Sequence, residues 1–245
     1  MGADPLSSRT RGRVVTIEAQ PEPIVIDTAR TAVIVVDMQN DFGAKGGMFD
    51  RAGIDLSVIR GAIAPTARVL SAARQEGISL VYLKMGFRAD LSDAGPPDSP
   101  NWIKHLPMAV GASTRTPSGG ESRILIRDTW NTDILEELAL QTGDTVIYKT
   151  RYSGFYKTDL DAILQRLGIK YLIVTGCTTS VCVESTVRDA MFRDYCCVLL
   201  ADCMGEPVGQ QFSRSNHDAS LLVIQALFGW VSQSDDLLRA LEDHK

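Results

Sequence analysis

Long apolar runs are missing from this 245-residue chain. None approaches the roughly 20 residues needed to span a bilayer, and the first residues hold no apolar core of the secretory type. Basic clusters are missing too: 25 Lys and Arg stand against 30 Asp and Glu, a formal net charge of -5. A nucleic acid or an anionic membrane surface is therefore not the expected partner. Histidine is scarce, and His105, His217 and His244 form no pair with metal-ligand spacing, which argues against both a zinc site and a Cys-His dyad. Neither a G-x-G-x-x-G turn nor a P-loop occurs, so no nucleotide cofactor is expected. The five cysteines, Cys177, Cys182, Cys196, Cys197 and Cys203, are odd in number, crowded into one region and unaccompanied by any Asn-x-Ser/Thr site. That argues against a secreted disulfide framework and for a reducing, cytoplasmic setting. What remains is a protein whose partner is a small molecule.

A hydrophobic content of 44% supports a substantial core, and its distribution gives the fold class. Short β-branched runs read as buried strands at Thr31 to Asp37, Ile78 to Leu83, Thr145 to Lys149, Leu172 to Val174 and Val198 to Leu200, with a shorter one at Arg123 to Ile126. Between them, three- and four-residue spacing predicts helices at about 56–75 (interrupted near Pro65), 132–140, 159–167, 181–191 and 213–228. Alternating strands and helices specify a three-layer α/β/α sandwich with a mostly parallel sheet. Residues 1–28, polar and turn-rich, read as a loose N-terminal arm, and 29–245 as one domain. Residues 86–120 carry five prolines and Gly119-Gly120. A loop that long reads as an active-site lid or as disorder, and Trp102 and Ile103 in its middle favour a packed lid.

Three of the strands end in groups with chemistry. Asp37 closes the first, and in open parallel sheets ligands bind just outside the carboxyl ends of strands. Lys149 closes the Thr145 strand. After Leu172 to Val174 comes the small-residue turn 175–180, and Cys182 lies on the first turn of the helix that follows. A helix N-terminus favours the thiolate, so Cys182 reads as a reactive thiol, or else as the small buried hydrophobe that most free cysteines are. If the three ends meet, Asp37 counters the charge of Lys149 and accepts the thiol proton, while the ammonium and the helix dipole lower the thiol pKa. That would be an activated nucleophile without histidine. Asp202, at another strand end, reads as a helix cap or structural acid.

VVDMQNDF at 35–42, K-x-R-Y-S-G-F at 149–155 and TGCTTSVCVEST at 175–186 resemble the three signature blocks of the isochorismatase-like cysteine hydrolases, over about residues 31–231. RYSGF, CVEST-x-RD and FGWVS are most similar to ureidoacrylate amidohydrolases. KGG, DLS, the run from Gly86 to Asp93 and RIL-x-R at 123–127 look more like biuret amidohydrolases. The resemblance implies a six-stranded parallel sheet, a catalytic triad at Asp37, Lys149 and Cys182, a cis peptide at Cys177-Thr178, and an oxyanion hole from the amides of Thr178 and Cys182. It further suggests Asn101 and Tyr152 as substrate contacts and Gln39 and Phe42 as pocket lining, and it implies homodimers or homotetramers. The Asp-x-His pair with which nicotinamidases of the family bind metal is absent at Asp37-Met38-Gln39, so no metal is expected. Isochorismatases proper lack the cysteine, so Cys182 argues against ether cleavage. The expected reaction is hydrolysis of a ureido or simple amide C–N bond, with a non-catalytic binding scaffold as the rival.

Overall fold

A computed structural model describes residues 12–242; the first eleven residues of the expected arm, and His244, lie outside them. The strands are β1 (Val14–Ile17), β2 (Ile24–Asp27), β3 (Thr31–Val36), β4 (Ser79–Met85), β5 (Ser113–Arg115), β6 (Glu121–Arg123), β7 (Thr145–Lys149), β8 (Tyr171–Cys177), β9 (Cys196–Gly205) and β10 (Trp230–Ser232). The α-helices are α1 (Asn40–Gly43), α2 (Met48–Arg51), α3 (Ser57–Gly61), α4 (Ile63–Gln75), α5 (Pro100–His105), α6 (Leu160–Arg166), α7 (Glu184–Met191), α8 (Asn216–Leu227) and α9 (Ser234–Glu242). Six strands form one sheet in the order β10-β9-β8-β3-β4-β7, and every pairing in it is parallel.

Alternation along the strands builds the layers. Val33 and Val35 of β3, Ile173 of β8 and Val198 of β9 face one core with Val69 and Leu70 of α4 and Leu237 of α9. Ala32, Ile34, Leu172 and Leu199 face the opposite core with Leu164 of α6, Val187 of α7 and Ile224 of α8. All six residues of β3 are buried, as expected of a central parallel strand covered on both faces.

Three expectations are corrected. Residues 14–27 are not a loose arm: β1 and β2 pair as an antiparallel hairpin whose Ile17 and Ile26 are fully buried. The period-2 signal was there, in two runs of only four residues around Pro21 and Pro23. The helix expected at 132–140 is instead two 3-10 turns, Trp130–Thr132 and Glu136–Leu138. Its backbone bonds go elsewhere, since the Asn40 amide donates to Asp133 O at 2.9 Å and the Leu135 amide to Met38 O at 3.0 Å. The strand expected at 123–126 is displaced toward the N-terminus, with β6 ending at Arg123. Strand β10 and helix α9 were not anticipated. Asp202 does act as a cap, accepting the Ser234 amide at 2.8 Å where α9 begins.

The 86–120 segment is packed. It contains α5 and, with residues just beyond it, the β5-β6 hairpin. Arginines pin it down: Arg127 pairs with Asp93 at 2.7 Å, and Arg123 donates to Gly111 O and Ala89 O, both at 2.9 Å.

Candidate active site

The site lies at the carboxyl end of the sheet, around β3 and its neighbours. Asp37 follows β3 directly, at φ 53°, a left-handed conformation that Asp tolerates better than most side chains. Its amide still donates to Leu83 O at 2.9 Å, so the residue stays tied to β4 while its carboxylate turns into the cavity. Beside it, Gly176 of β8 has φ 116°, and a Cβ there would lie 2.1 Å from Val36 O. Only glycine lets β8 approach β3 this closely just before the cysteine turn.

The Cys177-Thr178 peptide is cis. Thr179–Val183 then forms a π-helical turn that runs straight into α7, so Cys182 lies on the first helical turn as expected, but that turn is π and not α. Thr178 O accepts the amides of Val181 and Val183, both at 3.2 Å. Two side chains brace the turn from outside: Glu206 accepts the Ser180 amide at 2.6 Å, and His217 Nδ1 meets the Thr179 hydroxyl at 2.9 Å. The R-Y-S-G-F segment locks onto the same helix. Gly154 N donates to the Thr186 hydroxyl at 2.9 Å, and that hydroxyl donates to Cys182 O at 2.7 Å.

Lys149 is not on a neighbouring strand. β4 lies between β7 and β3, and strands are spaced about 4.8 Å apart, so the lysine must reach across Met85, its register partner on β4. Its length permits this. The ammonium, 0% exposed, lies 2.7 Å from Asp37 Oδ2, donates to Arg151 O at 3.3 Å and approaches Met85 Sδ at 3.7 Å. With the Cys182 sulfur also within hydrogen-bond reach, the ammonium is surrounded by acceptors, as a buried charge requires.

The electrostatics follow from burial. Asp37 is pushed up by desolvation, against the opposing pull of Lys149. Lys149 is held above the ordinary lysine range: desolvation lowers it, but the charges of Asp37 and Cys182 and their hydrogen bonds outweigh that. The Cys182 thiol is pushed up to about 12, first by burial and then by the charge of Asp37, with Lys149 opposing. Lys149 does lower the thiol pKa, as expected, but burial and Asp37 outweigh it, so the expected net lowering is corrected to a rise. Loss of the thiol proton to solvent would leave a net negative charge in an apolar cavity, whereas its transfer to Asp37 leaves the total charge of the three groups unchanged.

A cavity of about 120 Å³ holds the site. Asp37, Cys182, Thr178 and Tyr152 line it, as does Phe42, and no arginine or lysine does. Two proposed contacts fall elsewhere. Gln39, fully buried, accepts the Met85 amide at 2.8 Å and donates to Met85 O at 3.0 Å; it is a strut that fixes the end of β4. Asn101 spends its side chain on Ala94 O at 2.8 Å and so fastens the lid to itself. His105 and Met108 of the lid also line the cavity, and no pattern in the sequence singles them out. Asp41, buried just behind, accepts the amides of Met48 at 3.0 Å and Leu125 at 2.7 Å and the side chain of Asn131. It thereby positions two further lining residues.

The architecture is that of a three-layer α/β domain whose parallel strands bring an acid and a thiol to one apolar cavity, with a buried ammonium paired to the acid behind its wall. The family model for the Isochorismatase domain matches residues 31–236. The chain belongs to the isochorismatase family. It is 40% identical over 224 residues to ureidoacrylate amidohydrolase RutB of Variovorax paradoxus, covering 91% of this chain and 86% of that one. It is 39% identical to the RutB of Agrobacterium fabrum, with 91% and 94% covered. Among solved structures, a cysteine hydrolase from Pseudomonas syringae pv. phaseolicola superposes with a TM-score of 0.74 at 28% identity, covering 94% and 98% of the two chains.

Proposed function

We propose that this chain is a cysteine-dependent amidohydrolase that cleaves a C–N bond of a small ureido compound, with Cys182 as nucleophile, Asp37 as general base and acid, and Lys149 as the cation that holds both. The observation that carries this reading is that Asp37 and Cys182 line one cavity while the buried Lys149 ammonium pairs with Asp37 at 2.7 Å. Asp37 takes the Cys182 proton as sulfur attacks the carbonyl carbon. The Thr178 and Cys182 amides stabilise the oxyanion. As the C–N bond breaks, Asp37 returns that proton to the departing nitrogen, leaving a thioester-type acyl-enzyme. Asp37 then takes a proton from water, whose hydroxide adds to the acyl carbon, and hands it to the sulfur as the C–S bond breaks. Lys149 stays charged throughout. Tyr152, 37% exposed, stands at the cavity rim as a substrate contact.

Ureidoacrylate is the first substrate to test, because relatives at about 40% identity bear that name. A second reading, an uncharged ureido compound such as biuret, is favoured by the absence of any cationic side chain among the lining residues. A cavity of comparable volume holds benzene, so substrates larger than these need the lid to give. No described helix is long and apolar enough to cross a membrane, and all five cysteines are free, which supports a cytoplasmic setting. A homodimer or homotetramer is the proposed assembly, to be read by light scattering. An ammonia-release screen over ureidoacrylate, biuret, N-carbamoyl amino acids, nicotinamide and maleamate tests the activity. Turnover of a ureido compound that vanishes in Cys182→Ala supports the proposal, and turnover that survives the substitution refutes it.

A further inference from the structure

His105 belongs to none of the roles assigned so far, yet it is the most constrained polar side chain on the lid side of the cavity. It ends α5, whose start is set by the Ser99 hydroxyl accepting the Trp102 amide at 3.2 Å and by Pro100 at the first helical position. The residue is 6% exposed. Its ring meets Phe87 edge-on at 5.8 Å and Tyr152 at 5.7 Å. Nδ1 lies 2.6 Å from Asn101 O. A carbonyl oxygen can only accept, so Nδ1 carries the proton, and in the neutral ring Nε2 is left as an acceptor. Nε2 has no partner among the described residues, although the ring lines the same cavity as Cys182. Burial, together with the charges of Arg151 and Lys149, holds the imidazole below its ordinary pKa and so keeps it neutral.

We propose that His105 Nε2 accepts an N–H from the nitrogen of the substrate that does not leave, and that this contact selects a ureido group over a simple amide. The inference rests on the proposed hydrolysis and names what that site reads. A ureido carbonyl is flanked by two nitrogens. One departs with the proton from Asp37, which rises from the sheet; the other faces the wall contributed by the lid, where α5 presents an acceptor. An amide has a single nitrogen, so once that one is directed to Asp37, Nε2 is left facing CH2. Every other lid contribution to the cavity wall is apolar, and a buried acceptor left without a donor is what makes such a site discriminate. The Asn101 carbonyl sets the tautomer, so Asn101 contributes to recognition through its backbone.

Biuret and malonamide differ only by an internal NH in place of CH2 and form the test pair. Binding is measured by titration to the Cys182→Ala protein, which cannot turn either over, and kcat/KM is measured with the intact enzyme. The expected result is tighter binding of biuret by about 10- to 100-fold. His105→Phe, which keeps a ring between Phe87 and Tyr152, should erase that preference by weakening biuret while leaving malonamide unchanged. His105→Gln, which keeps an acceptor, should restore part of it. Equal affinity for the two ligands, no binding of either, or a His105→Phe effect that is the same on both would overturn the proposal. Failure of the catalytic reading appears separately, as absence of turnover in a protein that still prefers biuret.

Discussion

Replacing Lys149 with methionine tests the electrostatic core of the site, because the side chain keeps most of its stem and loses only its charge. The ammonium is 0% exposed and its partner carboxylate 1%. Its removal leaves Asp37 ionised and buried with no counter-charge, and breaking a buried pair in this way costs about 3–5 kcal/mol. Protonation of Asp37 offers a way out and so sets a ceiling. Taking up a proton at pH 7 by a group whose unfolded pKa is about 3.9 costs roughly 4 kcal/mol, at about 1.4 kcal/mol per pH unit. The sign follows directly: the folded variant binds one proton more than its unfolded chain, so it gains stability relative to wild type as pH falls. The gap of about 4 kcal/mol at pH 7 should shrink to roughly 1.5 at pH 5 by the same arithmetic. Urea denaturation of both proteins at the two pH values measures it. The double variant Asp37→Asn/Lys149→Met, with no buried charge, should recover most of the loss at pH 7. A Lys149→Met protein as stable as wild type at pH 7, or a gap that does not narrow on acidification, would refute the description of a buried, mutually dependent pair.

The remaining predictions concern activity and its supports. Asp37→Asn should lower turnover by about 10²- to 10⁴-fold. Cys182 should nevertheless react with iodoacetamide at least as fast as in wild type, because the variant removes a charge that raises the thiol pKa and leaves Lys149, which lowers it; retained turnover would contradict the assignment. In wild type, kcat/KM should fall on the acid side as Asp37 protonates, at a pKa above the usual carboxylate range; the pH-rate profile reads this, and an acid limb near pH 4 or below would be inconsistent with the buried base. Burial raises Asp41 to about 6. The folded state therefore binds more protons between the ordinary carboxylate range and pH 6, and wild type should gain up to about 3 kcal/mol as pH falls through that window. Asp41→Asn should abolish that gain and lose about 1–3 kcal/mol, since its amide would face a backbone donor; thermal denaturation at pH 7 and pH 5 checks both.

What could be read from the sequence was the part in which chemistry coincides with an abrupt change of pattern. Val33 to Val36 is an unbroken apolar run, so the polar residue after it had to leave the core. The same logic found Lys149, although not that β4 intervenes and that the lysine must reach over Met85. The Gly176 turn and the switch in period located Cys182. The π-helical turn that carries it was not legible, since a π turn and an α turn bury the same apolar residues. The lid hid His105 for a similar reason. Five prolines leave no period to detect, and only the Ser99-Pro100 pair, a cap followed by a first-turn proline, announces α5. Gln39 and Asn101 show the complementary limit: a polar residue in a signature block can be bound to backbone, at Met85 and Ala94, as readily as to substrate.

The proposed hydrolysis passes through a covalent bond between substrate carbon and the sulfur of Cys182. Acid quenching during turnover of a ureido substrate, followed by mass analysis of the peptides, measures that bond directly. The expected result is an acyl group on the peptide carrying Cys182, absent in Cys182→Ser and accumulating when the water step is slowed. Steady turnover with no adduct, or an adduct on Cys177 or Cys196 instead, would contradict it.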